Sequence, residues 1–339
     1  MSNVTSTRKG NCLKSLVLTR DGFQIADTPM PSMMPGEVRI EVRSVGICRT
    51  DLKIWKNQID ADLPLILGHE ISGIVHDSTV PDIAPGTPVT TEIDLSCGTC
   101  WYCRNGKKHL CSAKKTLGIS TDGGLTEYIV VPYDLIHQLP VGIDSIKGTF
   151  VGPLSNAIET YTRATVDPSE SVLIIGTGKM GLIIAQVFEA FGSEVLLLGD
   201  NQWHMGVARQ LGLQHILGLS SNWKEELTEL TKVGPNIVVE ATGTKRGLDI
   251  ALDVVRSDGT IALTGHHEAN YQINPRQLIG RELKLIGTSR GDYEMAIEML
   301  QKGRIEVRKL VTKQFPLEQG VQAFEEASKP EVVKVNINI

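Results

Sequence analysis

Four cysteines, Cys97, Cys100, Cys103 and Cys111, stand within fifteen residues. At the spacing C-x2-C-x2-C-x7-C, four thiolates can close a tetrahedron around zinc, with no position left open for chemistry. The segment between them, WYCRNGKKHL, has too little apolar content to fold by burial, so a metal would supply its folding energy. A cluster of reduced thiols on a loop is the competing reading, and four at such regular spacing argue against it. A second stretch is suited to a dinucleotide. Val172 to Ile175 form an apolar run, and Gly176, Gly178 and Gly181 follow in the G-x-G-x-x-G spacing. The first glycine makes the tight turn, the second lets backbone approach a pyrophosphate, and the third lets helix and strand pack closely. Thr177, Lys179 and Met180 complete the loop, and the helix N-terminus presents unpaired N–H groups to the phosphates. Three glycines alone would mark only a β–α turn. Asp200 decides against that: it follows the third glycine by 19 positions, after a second apolar run, Val195 to Leu198. A carboxylate there accepts hydrogen bonds from a ribose. It would repel a 2′-phosphate, and Asn201, Gln202 and Trp203 offer no cation, so NAD is expected over NADP.

These residues need a frame. Leu16 to Leu18 are apolar, and Glu37 to Val45 alternate, with Val38, Ile40 and Val42 on one face and Arg39, Glu41 and Arg43 on the other, which predicts strands of a compact β-rich lobe. Ile71 to Val75 and Leu125 to Val131 extend it. From Ser155 a helical pattern carries Ala157, Ile158 and Tyr161 on one face and leads to a break at Asp167-Pro168. Beyond it, apolar runs alternate with helical segments such as Gly206 to Leu211 and Arg246 to Val255, which argues for an α/β fold with a doubly wound parallel sheet. Thr242 and Gly265, ending two further strand-like runs, are counted at the cofactor, as is Arg290 after the last run, Leu283 to Thr288. The tail opens with a helix at Tyr293 and returns to strands at Val311 and at Val332 to Ile337.

With 339 residues, 41% of them hydrophobic, there is material for two cores. A net charge of −5 gives no reason to expect nucleic acid or an anionic membrane as partner. No apolar run approaches a membrane span, and residues 1–15 lack a secretion signal and read as a disordered lead-in. Crowded cysteines without an export signal point to metal rather than disulfides and to a cytoplasmic home.

Read in order, GICRTDL around Cys48, LGHEISGIV around His69 and Glu70, the four-cysteine lobe, PLSNAIET, the Gly176 fingerprint and LVTKQFPLEQGVQAFE resemble the zinc-containing medium-chain alcohol dehydrogenases, near their polyol (sorbitol) and threonine dehydrogenase branch. The resemblance implies a GroES-like catalytic domain over 1–154 with a structural zinc lobe at 97–111, a Rossmann NAD-binding domain over 155–292, and a return to the catalytic domain over 293–339. It implies a catalytic zinc held by Cys48, His69 and Glu70, the last a direct ligand in some members and a neighbouring group in others. Thr50 matches the hydroxyl that takes the substrate proton. Zinc would polarise the alcohol oxygen while a hydride leaves for the nicotinamide. The expected substrate is a small secondary alcohol of a polyol, sugar or cyclitol-like compound, and the expected assembly a homodimer or homotetramer.

Three departures stand out. Gly152 replaces an acidic residue or cysteine that ligates the zinc or holds its water, which would leave Glu70 as the third protein ligand. Lys53 stands where many relatives carry a proton-relaying histidine, and is expected either at an anionic part of the ligands or on a solvated surface. Arg290-Gly291-Asp292-Tyr293 runs almost directly into a helix where polyol relatives carry a longer loop, so the substrate pocket is remodelled. Gly152 also leaves open a zinc-independent reductase of C=C or C=N bonds. A dinucleotide-binding protein without turnover is the third reading, against which Cys48, Thr50, His69 and Glu70 together argue.

Overall fold

The computed structural model describes residues 12–164, 170–220, 222–265 and 270–339. In the first part of the chain, the alternating stretch becomes the strand Glu37–Gly46, with Val38, Ile40 and Val42 buried. It is the spine of a seven-stranded sheet, paired with Glu70–Ser78 on one side and Lys334–Asn338 on the other, with Tyr128–Pro132 also paired to it. A three-stranded sheet of Gly22–Pro29, Cys12–Thr19 and Leu65–Ile66 packs beside it through Leu16, Leu18 and Leu65. Residues 12–15 of the expected lead-in therefore belong to a strand, because Leu13 and Ser15 are buried there; residues 1–11 lie outside the described residues.

The second sheet has six parallel strands in the order His215–Gly218, Glu194–Gly199, Ser171–Ile175, Ile237–Glu240, Thr260–Leu263, Lys284–Gly287. The order in which strands are added reverses between Ser171–Ile175 and Ile237–Glu240, the switch point at which such sheets bind ligands. Leu173 and Ile174 are fully buried on opposite faces, one against Leu196 and Leu248, the other against Leu182 and Phe188. This is why the strand reads as a continuous apolar run. Local signals set the helix ends. Asn201 Oδ1 accepts from the N–H groups of Trp203 and His204 at the start of Gln202–Leu211, and Gly212, at φ +96°, ends it.

The helix Val151–Ala164 joins the two parts, so the boundary expected between 154 and 155 falls inside it. The break expected at Asp167-Pro168 lies outside the described residues. The helix Tyr293–Gln301 packs on Val151–Ala164 and shares the core of Leu182 and Phe188. The chain re-enters the β-rich sheet only at Val311–Pro316, so a boundary at 293 falls ahead of the actual return. Among the described residues, no helix is long and apolar enough to cross a membrane.

Candidate active site

Strand register assembles the first cluster. Gly46, ending one strand, pairs with Glu70, beginning the next, and this sets Cys48 beside His69 and Glu70. Cys48 is the N-cap of the helix Arg49–Trp55, and Gly68, at φ +92°, turns the chain where a Cβ would strike Val45. One ligand atom from each of Cys48, His69 and Glu70 lies within 4.8 Å of the others.

Asp51, wholly buried, ties the cluster together. Its Oδ2 accepts the backbone N–H of Cys48 at 2.8 Å, and its Oδ1 accepts that of Gly68 at 3.3 Å and lies 3.1 Å from His69 Nδ1. With Nδ1 turned to a carboxylate, Nε2 is left for a metal. Burial raises the Cys48 thiol, but the Lys179 ammonium and His69 outweigh it and hold it well below its usual value. Burial pulls His69 down, but the charges of Asp51 and Cys48 carry it up to about 9. Thiolate and carboxylate thus converge on a site that favours positive charge, and a thiolate, an imidazole and a carboxylate fit zinc.

Glu70 is held from both sides. Lys179 donates a hydrogen bond to its Oε1, reaching across from the nucleotide-binding part. Lys334 lies against Oε2 as an ion pair without hydrogen-bond geometry. Lys334 is fully buried, with Nζ 5.4 Å from the centroid of the Phe150 ring, and burial pulls it down to about 8.

The four-cysteine lobe is a contrasting site. The sulfurs of Cys97 and Cys103 are 3.9 Å apart, Cys100 and Cys103 3.5 Å, Cys111 and Cys97 3.5 Å. These are far beyond a disulfide bond and close to the edge of about 3.8 Å that Zn–S bonds of about 2.3 Å give a tetrahedron. Backbone N–H groups of Thr99 and Cys100 draw the Cys97 thiol down to about 6.

At the fingerprint, Gly176 has φ +115°, and a Cβ on Gly181 would lie 1.8 Å from the Gly176 carbonyl oxygen, so both must be glycine. A Cβ on Gly178 would meet nothing within 4 Å. That leaves open space at the N-cap of Lys179–Ala190, the kind of helix end that favours an anion. Asp200 is exposed just beyond the neighbouring strand. Thr242 and Gly265 follow the carboxyl ends of two neighbouring strands, and a Cβ on Gly265 would lie 2.3 Å from the Gly243 nitrogen. Buried Glu240 shapes this turn, its Oε1 accepting the Thr242 N–H at 2.8 Å and its Oε2 the Gly243 N–H at 3.1 Å.

Comparison with known proteins agrees with this geometry. Residues 34–141 match the alcohol dehydrogenase GroES-like domain, and residues 180–303 the zinc-binding dehydrogenase domain. An L-idonate 5-dehydrogenase of Vitis vinifera is 30% identical over 329 residues, covering 91% of this chain and 90% of its own. The chain belongs to the zinc-containing medium-chain alcohol dehydrogenase family. A sorbitol dehydrogenase of Halalkalibacterium halodurans is 28% identical, covering 95% of this chain and 98% of its own. A solved Escherichia coli oxidoreductase of unknown specificity superposes with a TM-score of 0.91 at 27% identity, over 97% of this chain and 99% of its own. This alcohol dehydrogenase is thus an oxidoreductase with a nicotinamide cofactor and zinc.

Thr50 is half-buried on the first turn after Cys48, and its hydroxyl makes no hydrogen bond among the described residues. Lys53 is 7% exposed, so the solvated-surface reading is corrected: the helix turns it inward beside Ile54. Beside Gly152, a Cβ would lie 2.9 Å from Tyr293 Oη, so a tyrosine hydroxyl fills the space a side chain would take. Arg290 donates from Nε to Asp94 Oδ2 at 2.9 Å, and its charge reaches Cys48. Sequence reasoning missed Asp51, Lys334, Glu240 and Tyr293. Only Asp51 carried a local signal, standing at the N3 position of a helix capped by Cys48.

Proposed function

We propose that this dehydrogenase oxidises a secondary alcohol of a polyol, sugar or cyclitol-like compound with NAD. The observation that carries the reading is the convergence of Cys48, His69 and Glu70 beside Thr50, with the Gly178 cradle leading into Lys179, whose ammonium reaches the same cluster. Zinc held by these three residues would supply Lewis acidity toward the alcohol oxygen and lower its pKa. Asp51 keeps His69 oriented, and Lys179 and Lys334 fix the Glu70 carboxylate. The unengaged hydroxyl of Thr50 would accept the alcohol proton while releasing its own to solvent. Gly178 and the helix N-terminus take the pyrophosphate, lined by Thr177, Met180, Thr242 and Gly265, and Asp200 takes the ribose, which favours NAD.

The catalytic domain spans the β-rich sheet with its returning strands from Val311, and the nucleotide domain the parallel sheet with Tyr293–Gln301. The exposed edge strand Lys284–Gly287, with Leu285 36% exposed and Ile279 77% exposed nearby, suits pairing with a second copy in a homodimer or homotetramer. Six free cysteines suit a reducing, cytoplasmic compartment.

NADH formation by zinc-loaded protein with a panel of polyols, amino-polyols, sugar acids and simple secondary alcohols tests the reading. At least one should be oxidised, with Thr50→Val slower by about 100-fold. No NADH from any of them would contradict it.

A further inference from the structure

Tyr293 opens the helix Tyr293–Gln301 and is 6% exposed. Its ring stacks on His137 at a centroid distance of 4.8 Å, and His137 is itself pinned by Glu92 at 3.2 Å and Glu294 at 2.6 Å. The ring is fixed, yet its hydroxyl has no hydrogen-bond partner among the described residues. It sits in the space left by Gly152, 2.9 Å from where a Cβ would be. A rigidly held hydroxyl that has no protein partner and keeps access to solvent is open to a ligand. Burial pushes the phenol up, so it stays neutral and able to donate.

Arg290 stands beside it. Asp94 holds the guanidinium through Nε, and Asp94 is also bonded by Thr116 at 2.8 Å and approached by Lys114 at 3.7 Å. Asp94 is thus flanked by two cations, Arg290 and Lys114, and Glu92 is turned to His137. Among the described residues neither terminal Nη of Arg290 has a partner, and the charge of Arg290 reaches both Tyr293 and Cys48. A held arginine fork beside a free hydroxyl is a recognition pair for an oxyanion. The other cations near Cys48, Lys179 and Lys334, are spent on Glu70.

We propose that Tyr293 and Arg290 form the specificity end of the substrate site and select a sugar derivative bearing a carboxylate or phosphate over a neutral polyol. This rests on the alcohol-oxidation reading and names its substrate class. Gly152 is part of the device: any side chain there would displace the Tyr293 hydroxyl, and an acidic one would repel the anion.

The test is calorimetric titration of zinc-loaded, NAD-saturated protein with D-sorbitol, D-gluconate and sorbitol 6-phosphate. One anion should bind at least about tenfold more tightly than sorbitol, gluconate marking a carboxylate site and the phosphate ester a phosphate site. Tyr293→Phe should cut that preference about tenfold, and Arg290→Gln should abolish it, while Arg290→Lys keeps part of it. Thermal melting of each variant reports whether the fold persists. Sorbitol binding as tightly as both anions, binding of none of the three, or a preference unmoved by both Tyr293→Phe and Arg290→Gln would overturn the proposal. NADH formation is read in the same samples. Anion preference without NADH from any compound would sink the alcohol-oxidation reading and leave the anion site standing.

Discussion

The two cysteine-bearing sites differ in how their donors are brought together. In the lobe, Cys97, Cys100, Cys103 and Cys111 come from one short stretch, and all four are thiols that close on each other. Around Cys48, the donors come from two strand ends, are of three kinds, and are surrounded by Asp51, Lys179 and Lys334, which occupy the remaining valences of the ligands. A closed set of like donors secures a loop. A mixed set with supporting charges and an open side is suited to exchanging a substrate. The difference teaches that metal chemistry here is allotted by the neighbours of the ligands as much as by the ligands.

Substitutions can break that contrast. Cys48→Ala should lower kcat/KM by about 10³-fold or more, since the Lewis acid contributes several kcal/mol, with little change in melting temperature. Steady-state kinetics beside a melting curve checks this. Cys103→Ser should do the reverse: the lobe loses its metal and the melting temperature falls by several degrees, read by calorimetry, because metal binding there is folding energy. Asp51→Asn keeps the shape but weakens the orientation of His69. Competition with a chelator should show zinc affinity at the Cys48 site lower by about 10- to 100-fold, with the lobe unaffected.

The smallest effect belongs to His137. Burial pulls its pKa down, but the hydrogen bonds and charges of Glu92 and Glu294 outweigh this and raise it. A raised folded value means that its stabilisation is fully present below the unfolded value of about 6.5 and is lost as pH rises through the folded value. Denaturant melts of His137→Gln should therefore show a deficit of about 1 kcal/mol in mildly acidic buffer that closes in alkaline buffer. A deficit that widens with pH would contradict the assignment.

What the sequence disclosed follows from the same contrast. The lobe and the glycine fingerprint are local: their chemistry is written in spacing, and alternation at Val38, Ile40 and Val42 or an unbroken run at Val172 to Ile175 marks one buried face or two. Cys48 and His69 became legible only through resemblance, because the register of Gly46 on Glu70 joins them rather than any local pattern. Lys334 lies inside the expected terminal strand, Val332 to Ile337, and nothing near it in sequence shows that the strand's pairing with Glu37–Gly46 sets it against Glu70. Tyr293 looked like the start of a helix. Its hydroxyl gains meaning only from the missing side chain at Gly152, far off in sequence. Lys53 was ambiguous because one helical turn decides between solvent and core.

The most direct test is zinc per chain, by elemental analysis of protein purified without chelator, for the wild type, Cys48→Ala and Cys103→Ser. The account predicts close to two zinc ions per wild-type chain and close to one in each variant, with alcohol oxidation surviving only where Cys48 is kept. Close to one in the wild type and in Cys48→Ala alike would mean that only the lobe carries metal, contradicting a zinc-assisted active site at Cys48, His69 and Glu70.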